Sequence, residues 1–142
     1  MHPLNTTLFL VLLFLISACN DNNSPDSLCG PVAVIDSGQF SSATTELLDV
    51  MSIDINQDCF ELTIGSSGCD GDSWGVSLFD AGVVLESFPV QRNLVISLFN
   101  EELCDGYFTR DYTFDISNLQ VGESGTVLLN ISNTGEQISY EY

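Results

Sequence analysis

Apolar and polar residues alternate along most of the chain beyond residue 30, and a period of two is typical of strands that bury one face. Segments rich in glycine, asparagine and aspartate separate these runs and indicate turns. Strands are predicted over Val32–Ile35, Leu48–Ile55, Cys59–Ile64, Trp74–Phe79, Val83–Phe88, Asn93–Phe99, Tyr107–Ile116, Thr126–Ile131 and Gln137–Tyr142. Gln39–Thr45 is polar and predicts a loop or an edge. A short helix over Thr44–Met51 is the alternative to the start of the second run.

This succession of short strands with almost no helix predicts an all-β fold, an antiparallel immunoglobulin-like β-sandwich of seven or eight strands. In the second run, Met51, Ile53 and Ile55 are predicted to share the buried face. The composition of Gly65–Asp72 indicates a loop. Pro89 interrupts a strand pattern, which favours an edge strand or a bulge at that point.

The N-terminus has a different pattern, because Leu8–Ile16 is an unbroken apolar run. This run is too short to cross a bilayer and is typical of the apolar core of a signal peptide. Ser17, Ala18 and Cys19 follow it, and Ile16–Cys19 resembles the lipobox of bacterial lipoproteins. The resemblance implies cleavage after Ala18 and attachment of diacylglycerol and a fatty acyl chain such as palmitate to Cys19. The alternative is an uncleaved, buried segment.

The lipobox reading divides the chain into a signal peptide (1–18), a lipidated cysteine with a polar tether (19–29) and a β-sandwich domain (30–142). Position 20 is Asn, not the Asp that resembles an inner-membrane retention signal. We therefore expect the protein in the cell envelope, held at the outer membrane by its N-terminal lipid. It would lie on either the periplasmic or the outer face.

The chain has 20 acidic residues, two arginines, no lysine and a net charge of −18. Such a charge repels phosphate backbones, so nucleic acid is excluded as a partner. His2 is the only histidine and would be removed with the signal peptide. Without imidazole or lysine, the mature chain cannot form a Ser-His or Cys-His site, a histidine-bound metal centre or a Schiff base. We therefore expect a protein that is not an enzyme.

Setting Cys19 aside leaves four cysteines, and an even number in an exported chain predicts two disulfides with three possible pairings. Cys69 and Cys104 both lie in loops rich in glycine or aspartate beside predicted strands. This placement favours a bond between them, and the bond Cys29–Cys59 then follows.

Several carboxylates are candidate calcium ligands. Asp70, Asp72 and Asp105 would come close together if Cys69 and Cys104 were bonded, and oxygen ligands suit Ca²⁺. The alternative is that these aspartates form turns. Asp54–Asp58 begins like an EF-hand loop, but its later positions fail the pattern, so a polar hairpin turn is predicted.

The functions of Trp74 and of the Glu101–Glu102 pair can each be interpreted in two ways. Trp74 would be a sugar-stacking platform or, alternatively, a core residue packed on a disulfide. Glu101 and Glu102 would form an acid/base pair, but neighbouring strand residues point to opposite faces, which favours a surface role. Arg92 and Arg110 are both predicted to form surface ion pairs.

The segments Gly65–Trp74, Leu85–Leu98, Asn100–Cys104 and Phe114–Leu119 together resemble those of small exported Gram-negative lipoproteins without an assigned activity. The resemblance implies a disulfide-stapled sandwich. The expected function is a membrane-anchored, non-catalytic binding or envelope-associated module with a protein or glycan ligand and no cofactor. The alternative is a carbohydrate-binding or calcium-dependent adhesion module at the cell surface.

Overall fold

A computed structural model describes residues 29–142 of the chain, and the predictions for the lipobox, Cys19 and residues 20–28 of the tether lie outside these residues. The described residues form eight strands and one α-helix. Their bounds are β1 Val34–Ile35, α1 Ser37–Ser41, β2 Asp49–Asn56, β3 Cys59–Gly68, β4 Gly75–Leu85, β5 Val90–Phe99, β6 Gly106–Asp115, β7 Thr126–Ile131 and β8 Gln137–Glu141. A short 3₁₀ turn, Ser117–Leu119, follows β6. No helix within residues 29–142 is long and apolar enough to span a membrane.

Two sheets face each other, so the predicted all-β sandwich is confirmed. One sheet has the order β1-β4-β5-β7-β8 and the other the order β2-β3-β6. Most neighbours are antiparallel, but β1 with β4 and β5 with β7 are parallel. The chain leaves β5, crosses to the small sheet for β6 and returns, so β7 runs in the same direction as β5. Alternation of polar and apolar residues is the same for both pairing senses and could not reveal this.

The core lies between the sheets, where the inward-facing positions of the strands interdigitate. Tyr140 and Phe60 are its largest fully buried side chains. Other core members are Leu62, Ile64, Leu94, Ile96, Leu98, Phe114, Ile116, Val127, Leu129 and Ile131. Their burial is the main force for folding, at roughly 1.5–3 kcal/mol for each large apolar side chain.

Two predicted boundaries are wrong. The predicted loop Gly65–Asp72 begins as strand, because β3 pairs with β6 as far as Gly68 opposite Gly106. The two strands predicted on either side of residues 80–82 are one strand, β4, whose register with β5 shifts between Asp80 and Val84. A bulge absorbs extra residues without ending a strand, which explains why turn-forming residues occur there.

A second bulge overturns the predicted buried face of β2. The register with β3 shifts between Val50 and Ser52, so Met51 is 58% exposed while Val50 is half-buried. The alternative prediction of a helix over Thr44–Met51 is also wrong. The helix forms earlier, as α1, where the Asp36 carboxylate accepts hydrogen bonds from the first amides as an N-cap.

Both disulfides form in the predicted pairing. Cys29–Cys59, with a Cα–Cα distance of 5.1 Å, ties the first described residue to the start of β3. Cys69–Cys104, with a Cα–Cα distance of 4.8 Å, ties the loop after β3 to the loop before β6. The second bond therefore holds together the two loops that contain most of the predicted site residues.

Candidate functional site

The loop after β3 is wrapped around a single carboxylate, that of Glu102. The backbone amides of Cys69, Asp70 and Gly71 donate to it over 2.6, 3.2 and 3.1 Å. The Ser73 hydroxyl also donates, over 2.7 Å. Successive amides that point inward form a concave site for a negative charge. The Ser73 hydroxyl and these amides lower the pKa of Glu102 to about 2.

Glycine at two positions makes this wrapping possible. A Cβ on Gly68 would lie 2.3 Å from Glu102 Oε2. Gly71 has a φ of +79°, which side chains disfavour, and the Trp74 ring lies 3.3 Å from the position of an added Cβ. The composition predicted only a loop over Gly65–Asp72. In the structure this loop is held by the hydrogen bonds to Glu102 and by one disulfide.

The three candidate calcium ligands do not form a metal site. The Asp70 carboxylate accepts from the amide of Asp72, over 2.9 Å, in a tight turn. The Asp72 carboxylate pairs with Arg110 over 3.0 Å, and Arg110 also donates to the Asp70 carbonyl. Asp105 is exposed. Within residues 29–142 no three acidic, histidine or cysteine side chains are placed to hold a metal ion.

Trp74 is only 6% exposed and belongs to the hydrophobic core. The hypothesis of a sugar-stacking platform is therefore wrong for this residue, because its ring faces are covered. Its indole Nε1 is buried and has no hydrogen-bond partner among the described residues. The Glu101–Glu102 acid/base pair is not formed either, because Glu102 is committed to holding the loop while Glu101 is exposed.

Leu103 is a surface feature that sequence reasoning missed. It is 96% exposed, yet its neighbours are Glu102, held by the loop amides, and Cys104, held by a disulfide. A leucine is thus presented to solvent from a backbone fixed on both sides. The available signal was a lone apolar residue inside the acidic segment Asn100–Asp105.

The two arginines differ in their surroundings. Arg110 forms the predicted surface pair, with a side chain 37% exposed. For Arg92 the prediction is wrong, because its side chain is 10% exposed and bonds at 3.0 Å to the fully buried Asp80. The buried Arg92 guanidinium requires the Asp80 carboxylate as its partner, since an unpaired charge in the core is costly in free energy. Asp80 Oδ2 and Arg92 Nε have no hydrogen-bond partner among the described residues.

Among residues 29–142, the outer face of the small sheet is polar and includes the exposed ring of Tyr107. Tyr107 lies across Gly65, where an added Cβ would be 2.1 Å from its hydroxyl. The hydroxyl donates to Asp49 over 2.9 Å, and this bond raises the pKa of Tyr107. Beyond it lies an open hollow of about 290 Å³. Its lining includes Ser52, Asp54, Glu61, Thr63, Asp111 and Thr113.

No protein-family model and no curated protein sequence matches this chain. Two solved Bacteroides structures are similar in fold. One is a protein of unknown function, DUF1344, from Bacteroides vulgatus, with a TM-score of 0.51 and 11% identity over 79% of this chain and 56% of that chain. The other is a NigD-like immunity protein from Bacteroides caccae, with a TM-score of 0.53 and 12% identity over 80% of this chain and 60% of that chain. This chain thus spans less than two thirds of either, and the likeness shows a shared fold alone.

Proposed function

We propose that the protein is an exported lipoprotein, anchored through Cys19, whose sandwich domain is a non-catalytic binding module. Two disulfides support an oxidising compartment outside the cytoplasm, where such bonds persist. Cys29–Cys59 pins the chain to β3 shortly after the proposed tether. The domain would therefore begin at a fixed point on the sandwich and be held near the membrane by the lipid.

The observation that carries the binding role is the loop around Glu102. Its carboxylate, amides and disulfide are all used to hold one shape, which leaves no free acid, base or nucleophile among them. From this rigid support Leu103 protrudes into solvent. A preordered apolar anchor suits binding, because little conformational entropy is lost when a partner covers it.

The anchoring part is tested by intact mass spectrometry of the membrane-extracted protein, with and without reduction. The expected mass lacks residues 1–18, includes acyl chains and increases by the mass of four hydrogen atoms on reduction, two for each disulfide. A Cys19→Ser variant should lose the acyl chains and the membrane association. An unprocessed wild-type mass would contradict the lipoprotein proposal.

The binding part is tested by placing a photoreactive amino acid at Leu103 in living cells. We expect a discrete cross-linked product that disappears when Cys69 and Cys104 are both replaced by serine. The matched control carries the same group at Val83, which is 55% exposed on β4. Equal products from both positions, or reproducible turnover by the purified protein on a panel of hydrolase substrates, would contradict a specific non-catalytic module.

We infer carbohydrate recognition as a second candidate function, on the strength of the outer face of the small sheet. An exposed tyrosine next to hydroxyl and carboxylate side chains is the composition that binds sugar rings and their hydroxyls. Glycan-array binding should be lost in Tyr107→Ala and kept in Tyr107→Phe, which retains the ring. Binding that is equal in the two variants would remove this candidate.

A further inference from the structure

We propose that the open seam between β2 and β8 binds an extended segment of a partner protein, in which apolar residues alternate with lysine or arginine. The inference rests on the proposed binding function and names a site and a class of partner for it. The seam is a groove of about 360 Å³. It is lined by Ile53, Asp54, Ile55, Glu136, Gln137, Ile138 and Ser139.

The two seams of the sandwich differ. On one side, the N-terminal segment closes the gap, because Val32 bridges to Asp115 of β6 and β1 then pairs with β4. On the other side, β2 and β8 are the outermost strands of their sheets. Within residues 29–142 no strand pairs with their outer edges.

In an antiparallel pair, residues alternately bond to the neighbouring strand and point away from it, and this alternation shows which backbone groups on β8 are free. The Ile131 amide donates to the Glu136 carbonyl, and the Tyr142 amide donates to the Gly125 carbonyl. Between these two pairs, every second pair of opposite residues on β7 and β8 is therefore joined by backbone hydrogen bonds. The N–H and C=O groups of the intervening residues point away from β7. On β8, Gln137 and Ser139 therefore direct unpaired groups into the seam.

β2 contributes free groups in the same way. A two-residue turn joins β2 to β3, which makes Asn56–Cys59 a bonded pair and leaves Ile55 and Ile53 with outward N–H and C=O groups. Because Cys59 bonds to β2, the backbone of the opposite residue, Asp115, must point away from β3. Its amide indeed donates to the Pro31 carbonyl. Both walls of the seam thus offer main-chain donors and acceptors to an added strand.

The side chains specify the chemistry of that strand. Ile53, Ile55 and Ile138 are half-buried and form an apolar floor that alternate apolar residues would cover. Asp54 and Glu136 line the same groove, and the chain as a whole has a net charge of −18. Charge complementarity therefore favours a basic strand, and it disfavours a second copy of this chain.

The test measures binding of a fluorescent peptide of alternating valine and lysine to the full chain by anisotropy. The variant Ser139→Pro removes one outward N–H, and proline is tolerated on an edge strand where that group faces solvent. We expect it to weaken binding about tenfold or more, while Ser139→Ala, which keeps the N–H, changes affinity less than about twofold. Melting curves of both variants confirm that they fold.

Charge is tested separately. Glu136→Gln at the groove should weaken binding and reduce its salt dependence, whereas Glu86→Gln in the β4–β5 turn serves as the matched control. A peptide with alternate N-methylated amides should not bind, because it lacks the main-chain donors.

Four results would overturn the inference. Three of them are the absence of saturable binding, equal affinities of the Ser139→Pro and Ser139→Ala variants, and equal binding of the N-methylated peptide. The fourth is a dimer in sedimentation that Ser139→Pro dissolves, because it would place a second copy in the seam. Acylation of Cys19 and cross-linking at Leu103 are independent of these measurements, so failure here is distinguishable from failure of the proposed function.

Discussion

Glu102 shows how one side chain can organise a loop. The backbone amides of Cys69, Asp70 and Gly71 lie beyond the paired part of β3. The Glu102 carboxylate accepts their hydrogen bonds in place of a backbone carbonyl. Hydrogen bonds to a charged acceptor are roughly twice as strong as neutral ones. The loop geometry therefore depends on the ionised form of this residue.

The variant Glu102→Gln should loosen the loop, because a neutral amide accepts more weakly and adds donors that face other donors. We expect faster hydrogen exchange at the amides of Cys69–Ser73 and reduced cross-linking through Leu103. Glu101→Gln is the matched control, since Glu101 is exposed. Unchanged exchange in Glu102→Gln would show that the disulfide alone holds the loop.

Acid should open the same loop in the wild type. The pKa of Glu102 is about 2 in the folded protein against an ordinary value of 4.5. A lowered pKa means that its stabilising contribution is present above pH 4.5 and is lost as the pH falls towards 2. Exchange rates corrected for intrinsic pH effects should rise in this window in the wild type but not in Glu102→Gln.

A third prediction at the level of residues concerns the buried Asp80–Arg92 pair. Asp80→Ala leaves the arginine charge in the core without its partner and should cost about 3–5 kcal/mol of unfolding free energy. The double variant Asp80→Leu/Arg92→Met should cost less than Asp80→Ala alone, since no charge remains buried. Chemical denaturation measures both, and a double variant as unstable as the single one would contradict the electrostatic explanation.

Between elements, the two disulfides add covalent links at the two ends of β3. Cys29–Cys59 joins the N-terminal segment to β3, and Cys69–Cys104 joins the loops at the opposite end of β3. The bonds close loops with sequence separations of 30 and 35 residues. Their contribution comes mainly from restricting the unfolded chain.

Replacing either cysteine pair by serine should lower the unfolding free energy by about 2–4 kcal/mol. The two variants should differ locally. Only Cys69→Ser/Cys104→Ser should increase exchange at the Glu102-bound amides, because only that bond adjoins them. Denaturant melts give the stability and hydrogen exchange gives the location. Increased exchange at these amides in the other variant would indicate that the two ends of β3 are coupled.

The charge of the whole molecule opposes its compact state. A net charge of −18 on a chain of 142 residues produces self-repulsion that dissolved ions screen. The melting temperature should therefore rise with sodium chloride between about 0.02 and 0.5 M. Sucrose in place of salt controls for effects that do not depend on charge, and a melting temperature insensitive to salt would contradict self-repulsion as a destabilising force.

The residue pattern was sufficient for strands where pairing is regular, as in β7, whose bounds are those predicted. It failed at the two register shifts. In β2 an extra residue turns Met51 outward, and in β4 the strand continues past turn-forming residues after Asp80, and neither irregularity changes the composition. Of the candidate site residues, the cysteines were paired correctly. Trp74 and Arg92 proved buried, and burial depends on neighbours distant in sequence.

The sequence by itself determined the fold class, the absence of histidine and lysine from residues 29–142 and the negative charge, and it favoured one of the three cysteine pairings. These follow from residue type and short-range periodicity. Only the tertiary structure decided the parallel strand pairs, the loop around Glu102, the exposure of Leu103 and the open seam between β2 and β8. Each of these depends on how segments far apart along the chain are placed. Contacts of that kind depend on how the two sheets pack, which local alternation does not encode.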